Sequence, residues 1–367
     1  MTEKIQDLIY KSLKDNQDRT PRGHLGCSII GRECQREVWY IWRWAKSPDF
    51  DGRLLRLFRR GQEEEPYVVS DLRAIGLEVH DEDSKTGDQF RISDLGGHMG
   101  GSLDGAVSNV PGHGPTWMVL EIKTSGVKPF TKLEKNGVKK EKFEHYTQMQ
   151  LYMRGTGMKK ALYFAVCKDN DKIYTEIVDF DESEAKTAFN KAKAILESTT
   201  PPGKISEHPS WYKCKMCDQR NHCQGDEAPE VNCRTCVHAT PEIDPNRARL
   251  WTCAKKGKHL NESEQLAGCD EHLFIPKMIN FAEAIDANPD EGWVDYKSDQ
   301  GVYFRNSGKN YAESVDEDKS GDSQPPWSSN DIHHLGARVL TDDPLLESIR
   351  RNFAPTKILK TTKNLEK

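Results

Sequence analysis

The stretch GGSLDGAVSNVPGHGPTWMVLEIKTS (Gly100–Ser125) decides how the chain is read, because it sets Asp104, Glu121 and Lys123 around two apolar runs and a Gly/Pro turn. WMVLEIKT is the clearest strand of the sequence. In a strand Glu121 and Lys123 point to the same side. Two carboxylates at the ends of adjacent strands can hold a divalent cation while the lysine projects into the same site. Hard cations such as Mg²⁺ take oxygen ligands, so Asp104 and Glu121 with the Ile122 carbonyl form a sensible set. Lys123 would orient or help deprotonate a water and stabilise charge on a phosphate. The chemistry that fits is metal-assisted phosphodiester hydrolysis.

The flanking segments give an order of elements. CQREVWYIWRWA (Cys34–Ala45) reads as an aromatic helix, and LLRLFRRGQEEEPYVVSDLRAIG (Leu54–Gly76) as a second one, interrupted or re-started near Pro66. On that helix Leu57, Gly61 and Glu65 fall four apart and share a face. Residues 89–123 read as strands between Gly/Pro turns. EKFEHYTQMQLYMRG then predicts a helix with Gln148 and Tyr152 one turn apart, followed by strands ALYFAVC and KIYTEIVDF and a helix over 181–198. The N-terminal residues 1–25 hold a short amphipathic helix, with Ile5, Leu8, Ile9 and Leu13 at helical spacing.

Composition sets limits. The chain has 367 residues, 35% hydrophobic and 30% charged, with a net charge of −5. That length suggests two or three domains, and no run reaches the ~18 apolar residues of a membrane helix. The start of the chain is unlike a secretion signal, so a cytoplasmic protein is expected. The overall acidity gives no global argument for nucleic acid, but two stretches are basic: residues 32–60 carry eight Lys/Arg against four Asp/Glu, and 127–143 six Lys against two Glu. Such stretches are solvated faces or phosphate-binding tracks. There is no internal repeat and no phosphate-binding loop of the ATPase type.

Ten cysteines in such a chain point to metal binding rather than disulfides. Cys214, Cys217 and Cys223 form a C-x2-C-x5-C cluster that lacks one ligand. Cys233, Cys236, Cys253 and Cys269 form a C-x2-C-x16-C-x15-C set in a segment too polar to fold on apolar burial alone, and zinc is the economical assignment there. His238, His259 or His272 could replace one of these ligands. Cys27, Cys34 and Cys167 remain, and a distant cysteine should complete the first cluster.

Taken together, SLDGAV, LEIKTS and QMQLYM resemble the motifs of the PD-(D/E)XK nuclease superfamily, within it the RecB-like branch and the CRISPR-adaptation nucleases. Leu103 stands where the superfamily's name has proline. RRGQEEEPYV is similar to the helix of the phage lambda-type exonucleases, which implies Glu65 as a further ligand; Glu64, His80 or His98 are the alternatives. The resemblance implies Mg²⁺ or Mn²⁺ held by Glu65, Asp104, Glu121 and Ile122, with Gln148 and Tyr152 positioning the DNA or the site. CQREVWY with C-x2-C-x5-C resembles the AddB-type pattern, which implies that Cys34 joins Cys214, Cys217 and Cys223 around a [4Fe–4S] cluster as a structural staple. Zinc on Cys214, Cys217 and Cys223 with His222 or Cys34 is the rival.

The expected architecture is α/β: a restriction-endonuclease-like core, a central mixed β-sheet flanked by helices, over 26–225 with its iron–sulfur staple, then a zinc module over 231–276. An extension over 277–367 follows, with a mobile linker near 306–330, an amphipathic helix DDPLLESIRRNF and a lysine-rich end. The function expected is a metal-dependent DNA exonuclease in recombination, repair or replication, of phage or bacterial type. It would act on single strands or duplex ends, alongside a single-strand-binding or recombination protein. A structure-specific or CRISPR-adaptation-type endonuclease and a non-catalytic DNA-binding scaffold are the alternatives.

Overall fold

The computed structural model describes residues 4–246, 248–314 and 326–340. They divide into two compact units: one of the chain up to Glu33, Pro48–Ala194 and Ile243–Ala248, the other of Cys34–Ser47, Ile195–Glu242 and the chain from Arg249 on. Of the expected span 26–225, Cys34–Ser47 and the residues from Ile195 on thus belong to the second unit. No helix among the described residues is long and apolar enough to cross a membrane.

The first unit is mixed α/β, its helices flanking a twisted sheet. Helix α1 (Ile5–Asp15) lies along the start of α2 (Gly52–Ala74), where a Cβ on Gly52 would come within 2.1 Å of the Tyr10 carbonyl oxygen. Only glycine permits that approach. Asp51 caps α2, its Oδ1 accepting from the Leu54 N–H at 2.8 Å. The helix runs through Pro66 without a break, which corrects the expected interruption there. The proline is exposed, and the carbonyl it deprives of a partner belongs to the exposed Gln62, where water can satisfy it. Val68, Val69 and Leu72 then seat the half beyond the proline on the core.

The sheet has five strands in chain order: β1 (Glu78–His80), β2 (Gly105–Ser108), β3 (Met118–Ser125), β4 (Lys160–Cys167) and β5 (Ile173–Asp179). The pairs β1·β2, β2·β3 and β4·β5 are antiparallel, and β3·β4 is parallel. A parallel step needs a crossover. Here α3 (Val127–Asn136) and α4 (Phe143–Thr156) provide it, and α5 (Glu182–Glu197) follows β5. Alternation sends Val79, Val107, Leu120, Ile122, Leu162 and Phe164 to the face that packs on α2. Glu121 and Lys123 therefore take the opposite face. A smaller sheet, ordered Leu25–Gly26, Met99–Ser102, Arg91–Asp94, leads into β2.

The second unit holds the helix Gln35–Trp42 and two antiparallel three-stranded sheets. One pairs Trp251–Cys253 with Ala239–Pro241 and Lys258–Leu260; the other consists of Glu283–Asn288, Trp293–Lys297 and Tyr303–Ser307. Phe274, Val294, Tyr296, Phe304, Trp327 and Ile332 form the core beside the latter. Of the expected linker near 306–330, the described flanks are regular: a strand ends at Ser307, a helix spans Lys309–Ser314, and Ser328 caps the helix Ser329–Leu335. Residues 315–325, the expected helix DDPLLESIRRNF and the lysine-rich end lie outside the described residues.

Candidate active site

Asp104 sits in the tight link between the small sheet and β2, and its Oδ2 accepts the Ile122 N–H at 2.7 Å. That bond fixes the carboxylate against the middle of β3. Glu121, on β3, is fully buried. Neither of its carboxylate oxygens receives a well-aligned hydrogen bond, although the Lys123 ammonium lies 2.5 Å from Oε1 as an ion pair. The same ammonium is 3.6 Å from Asp104 Oδ2 and donates to the Ile122 carbonyl at 3.0 Å.

These charges shape one another. Burial pushes the Glu121 carboxyl up to about 7, against the pull of Lys123. Burial disfavours the Lys123 ammonium too, yet Glu121 and Asp104 outweigh it and hold the lysine protonated well above its ordinary range. Glu65, half-buried on α2, is raised to about 7 by burial and then by the charge of Asp104, with Lys123 opposing. One turn earlier, Gly61 brings α2 close to β3: a Cβ there would lie 3.6 Å from Thr124 Oγ1. Glu65 therefore shares the electrostatic surroundings of Asp104 and Lys123. His80 does not: it is exposed and bonded to Glu78 at 3.1 Å. His98 is buried next to the start of the smaller sheet, where its carbonyl accepts from Leu25.

Gln148 and Tyr152 line up on α4, the Gln148 Nε2 donating to the Tyr152 hydroxyl at 3.1 Å and that hydroxyl donating to the Ser102 carbonyl at 2.7 Å. The ring passes so near Gly101 that a Cβ there would meet the hydroxyl at 2.6 Å. The pair thus ties α4 to the segment carrying Asp104. Sequence reasoning did not single out Tyr163, which sits opposite Glu121 in the β3·β4 register and bonds His145 Nδ1 at 2.8 Å. Burial, followed by Lys123 and Lys142, lowers His145 to about 3, so its ring is neutral. The signal available was the alternation of ALYFAVC, which puts Tyr163 on the face of Glu121.

All eight cysteines expected to bind metal lie in the second unit. The Cys34 sulfur caps the helix Gln35–Trp42, accepting from the Glu37 N–H at 3.4 Å, and Gln224 donates to the Cys214 sulfur at 3.8 Å. Burial holds the Cys34, Cys217 and Cys223 thiols above their usual range, Cys217 at about 12; the charges of Cys34 and Cys223 add to the rise at Cys217, and those of Cys34 and Cys214 to the rise at Cys223. In the second set, Cys233 is raised to about 11 and Cys236 to about 12 by burial, with Cys253 and Cys269 within reach of Cys233. His222 is buried near the Glu227 carbonyl, and His272 bonds the Thr235 hydroxyl at 3.1 Å. His238 is buried and His259 lies 3.8 Å from Glu242. Among the described residues no three His, Cys, Asp or Glu side chains converge closely enough to hold a metal ion as they stand. At the acidic site the physical reason is visible, since the Lys123 ammonium occupies the space between Glu121 and Asp104.

No protein-family model matches the chain, and no curated protein does. Among solved structures it is similar to the alkaline exonuclease LHK-Exo of Laribacter hongkongensis, 18% identical over 51% of this chain and 90% of that one, TM-score 0.34. LHK-Exo in complex with dAMP gives 19% identity over 47% and 86% with the same TM-score of 0.34, and SSO0001 gives 16% over 61% and 98% with 0.37. These values describe a loose, partial likeness.

Proposed function

We propose that the chain is a metal-dependent deoxyribonuclease that hydrolyses DNA phosphodiester bonds as an exonuclease, in recombination, repair or replication. The observation that carries this reading is Glu121: a fully buried carboxylate with no aligned donor on either oxygen, facing Asp104 across a lysine. Burying such a group costs several kcal/mol unless something compensates it. Glu65, Asp104, Glu121 and the Ile122 carbonyl are all oxygen donors, which suits Mg²⁺ or Mn²⁺. These residues would hold a divalent ion, which would supply Lewis-acid polarisation of the scissile phosphate and a more acidic water.

The remaining roles belong to the chain itself. Lys123, which Glu121 and Asp104 hold as a cation, orients the attacking water and stabilises phosphate charge. Gln148 and Tyr152 hold the Asp104 segment in place through Ser102. Lysines of residues 127–143 guide the phosphate backbone.

The two cysteine sets support cofactor assignments on donor chemistry. Cys34, Cys214, Cys217 and Cys223 would hold a [4Fe–4S] cluster, and Cys233, Cys236, Cys253 and Cys269 a zinc ion. Thiols raised by burial become ligands once metal displaces their protons.

Digestion of end-labelled linear DNA and of circular DNA, with Mg²⁺ or Mn²⁺ and with EDTA, tests the activity. Release of nucleotides from linear ends alone supports an exonuclease, cutting of circles makes it an endonuclease, and no cleavage with either ion leaves only binding. Elemental analysis of anaerobically purified protein should give about four irons and one zinc per chain. Iron lost in Cys34→Ser but kept in Cys167→Ser supports the first set.

A further inference from the structure

The first unit contains a cleft of about 850 Å³ beside the acidic site, lined in part by Phe90, Arg91, Leu103, Ala106, Trp117 and Leu151. Its lining includes sequence neighbours of that site's residues. Leu103 directly precedes Asp104, and Leu151 adjoins Tyr152. Register places His80, Ala106 and Val119 in one row across β1, β2 and β3, on the sheet face that carries Glu121 two residues further along β3.

Its lining has three kinds of surface. Leu103, Ala106 and Leu151 give an apolar floor. Trp117, partly exposed, lies 5.0 Å from the His80 ring, and Phe90 offers a further aromatic surface. Arg91 is exposed at the same cleft and has no ion-pair or hydrogen-bond partner among the described residues. The cleft's other guanidinium, Arg154, is committed: it bonds Asp94 at 2.7 Å and lies over the Phe189 ring. Cavities of this size hold a small molecule, and an apolar floor with aromatic rings and one unspent cation matches a flat base joined to a phosphate.

We propose that this cleft binds one unstacked nucleotide, its base on Trp117 and Phe90 and its phosphate on Arg91. The proposal rests on the nuclease reading for its purpose, which is to hold an end of the strand beside Asp104 and Glu121, but the binding is tested without cleavage. Both a free mononucleotide and a strand terminus carry this chemistry.

The experiment titrates full-length protein in EDTA with a fluorescently labelled oligothymidylate, and separately uses thymidine monophosphate as competitor. Trp117→Ala should weaken oligonucleotide binding roughly tenfold, and Trp117→Phe should restore most of it. Arg91→Ala should weaken it and lower the salt slope by about 0.7, a change Trp117→Ala should not make. Competition by thymidine monophosphate identifies a mononucleotide site, and binding of the oligonucleotide alone identifies a strand terminus. If Arg91→Ala and Trp117→Phe bind like the parent and Trp117→Ala, once shown folded by circular dichroism, does too, the cleft assignment falls. Trp117-dependent binding in a protein that never cleaves DNA would overturn the nuclease reading and leave the cleft standing.

Discussion

Arg43 and Arg234 in the second unit and Glu121 in the first are all buried charged groups, and their surroundings answer the charge in different ways. The Arg234 guanidinium lies 3.6 Å from the Trp44 ring centroid, with Trp42 and Trp251 at 4.8 and 4.9 Å. Its Nε donates to Gln265 at 3.0 Å and an Nη to the Trp42 carbonyl at 3.2 Å. Arg43 packs on Trp39, Trp42 and Trp251 and donates to the Ser198 and Arg234 carbonyls at 3.0 and 3.3 Å. Each cation meets π faces and fixed carbonyl dipoles, so it is compensated in place. Burial still lowers Arg43 to about 10 and holds Arg234 well below its usual range. Glu121 has one lysine and two oxygens without aligned donors. A buried charge met by fixed partners serves to specify the packing, whereas a buried carboxylate whose oxygens lack aligned donors is a candidate functional group.

The sharpest way to break this contrast is to remove the under-satisfied group. Glu121→Ala and Asp104→Ala should each lower metal-dependent cleavage by about 10³-fold or more, while DNA affinity in EDTA changes by less than about threefold. Cleavage at the parent rate by the Glu121 variant would mean that its buried carboxylate is only a packing feature, and the distinction between the two regions would vanish.

Removing a satisfied charge should instead damage stability. Arg234→Leu strands the Trp42 carbonyl and Gln265 and forfeits three aromatic contacts, a loss of about 3 kcal/mol. Urea unfolding followed by tryptophan fluorescence reads it directly, since Trp42, Trp44 and Trp251 surround the guanidinium. The cleavage rate of the folded fraction should not change. An unaltered urea midpoint would show that this arginine contributes nothing to the packing.

How much of this was legible differs between the regions for a physical reason. In the first unit the informative residues are close in sequence or periodic: Glu121 and Lys123 two apart in a strand, Gln148 and Tyr152 four apart in a helix, Gly61 and Glu65 four apart in another. Local periodicity therefore put them on shared faces, and the register shows Glu121 and Lys123 on the face that alternation requires. The arginine–tryptophan cluster joins residues near 40 to residues near 234 and 251, a separation that no period encodes. The sheet of Glu283–Ser307 went unseen because its first strand is mostly exposed and polar, although Val294, Tyr296 and Phe304 alternate inward. Pro66 misled because a proline's cost depends on whether its orphaned carbonyl meets water, which sequence does not show.

The smallest effect sharpens the comparison most, because it separates the cost of burying Glu121 from its use. Its folded carboxyl sits near 7 against an ordinary value of 4.5. The folded state therefore binds the proton more tightly than the unfolded one between those values. The sign follows: stability is greater below about 4.5 and is lost as pH rises towards 7, after which the term is constant. Glu121→Gln removes this titration while keeping the shape, at the cost of leaving Lys123 with Asp104 alone. The stability of Glu121→Gln relative to the parent, both in EDTA, should rise by about 1–3 kcal/mol between pH 4.5 and 7 and then level off. Thermal or urea melts across that range measure it, and the same variant should fail to cleave DNA. A difference that stays flat with pH would show that Lys123 fully compensates the carboxylate, placing Glu121 with the satisfied arginines.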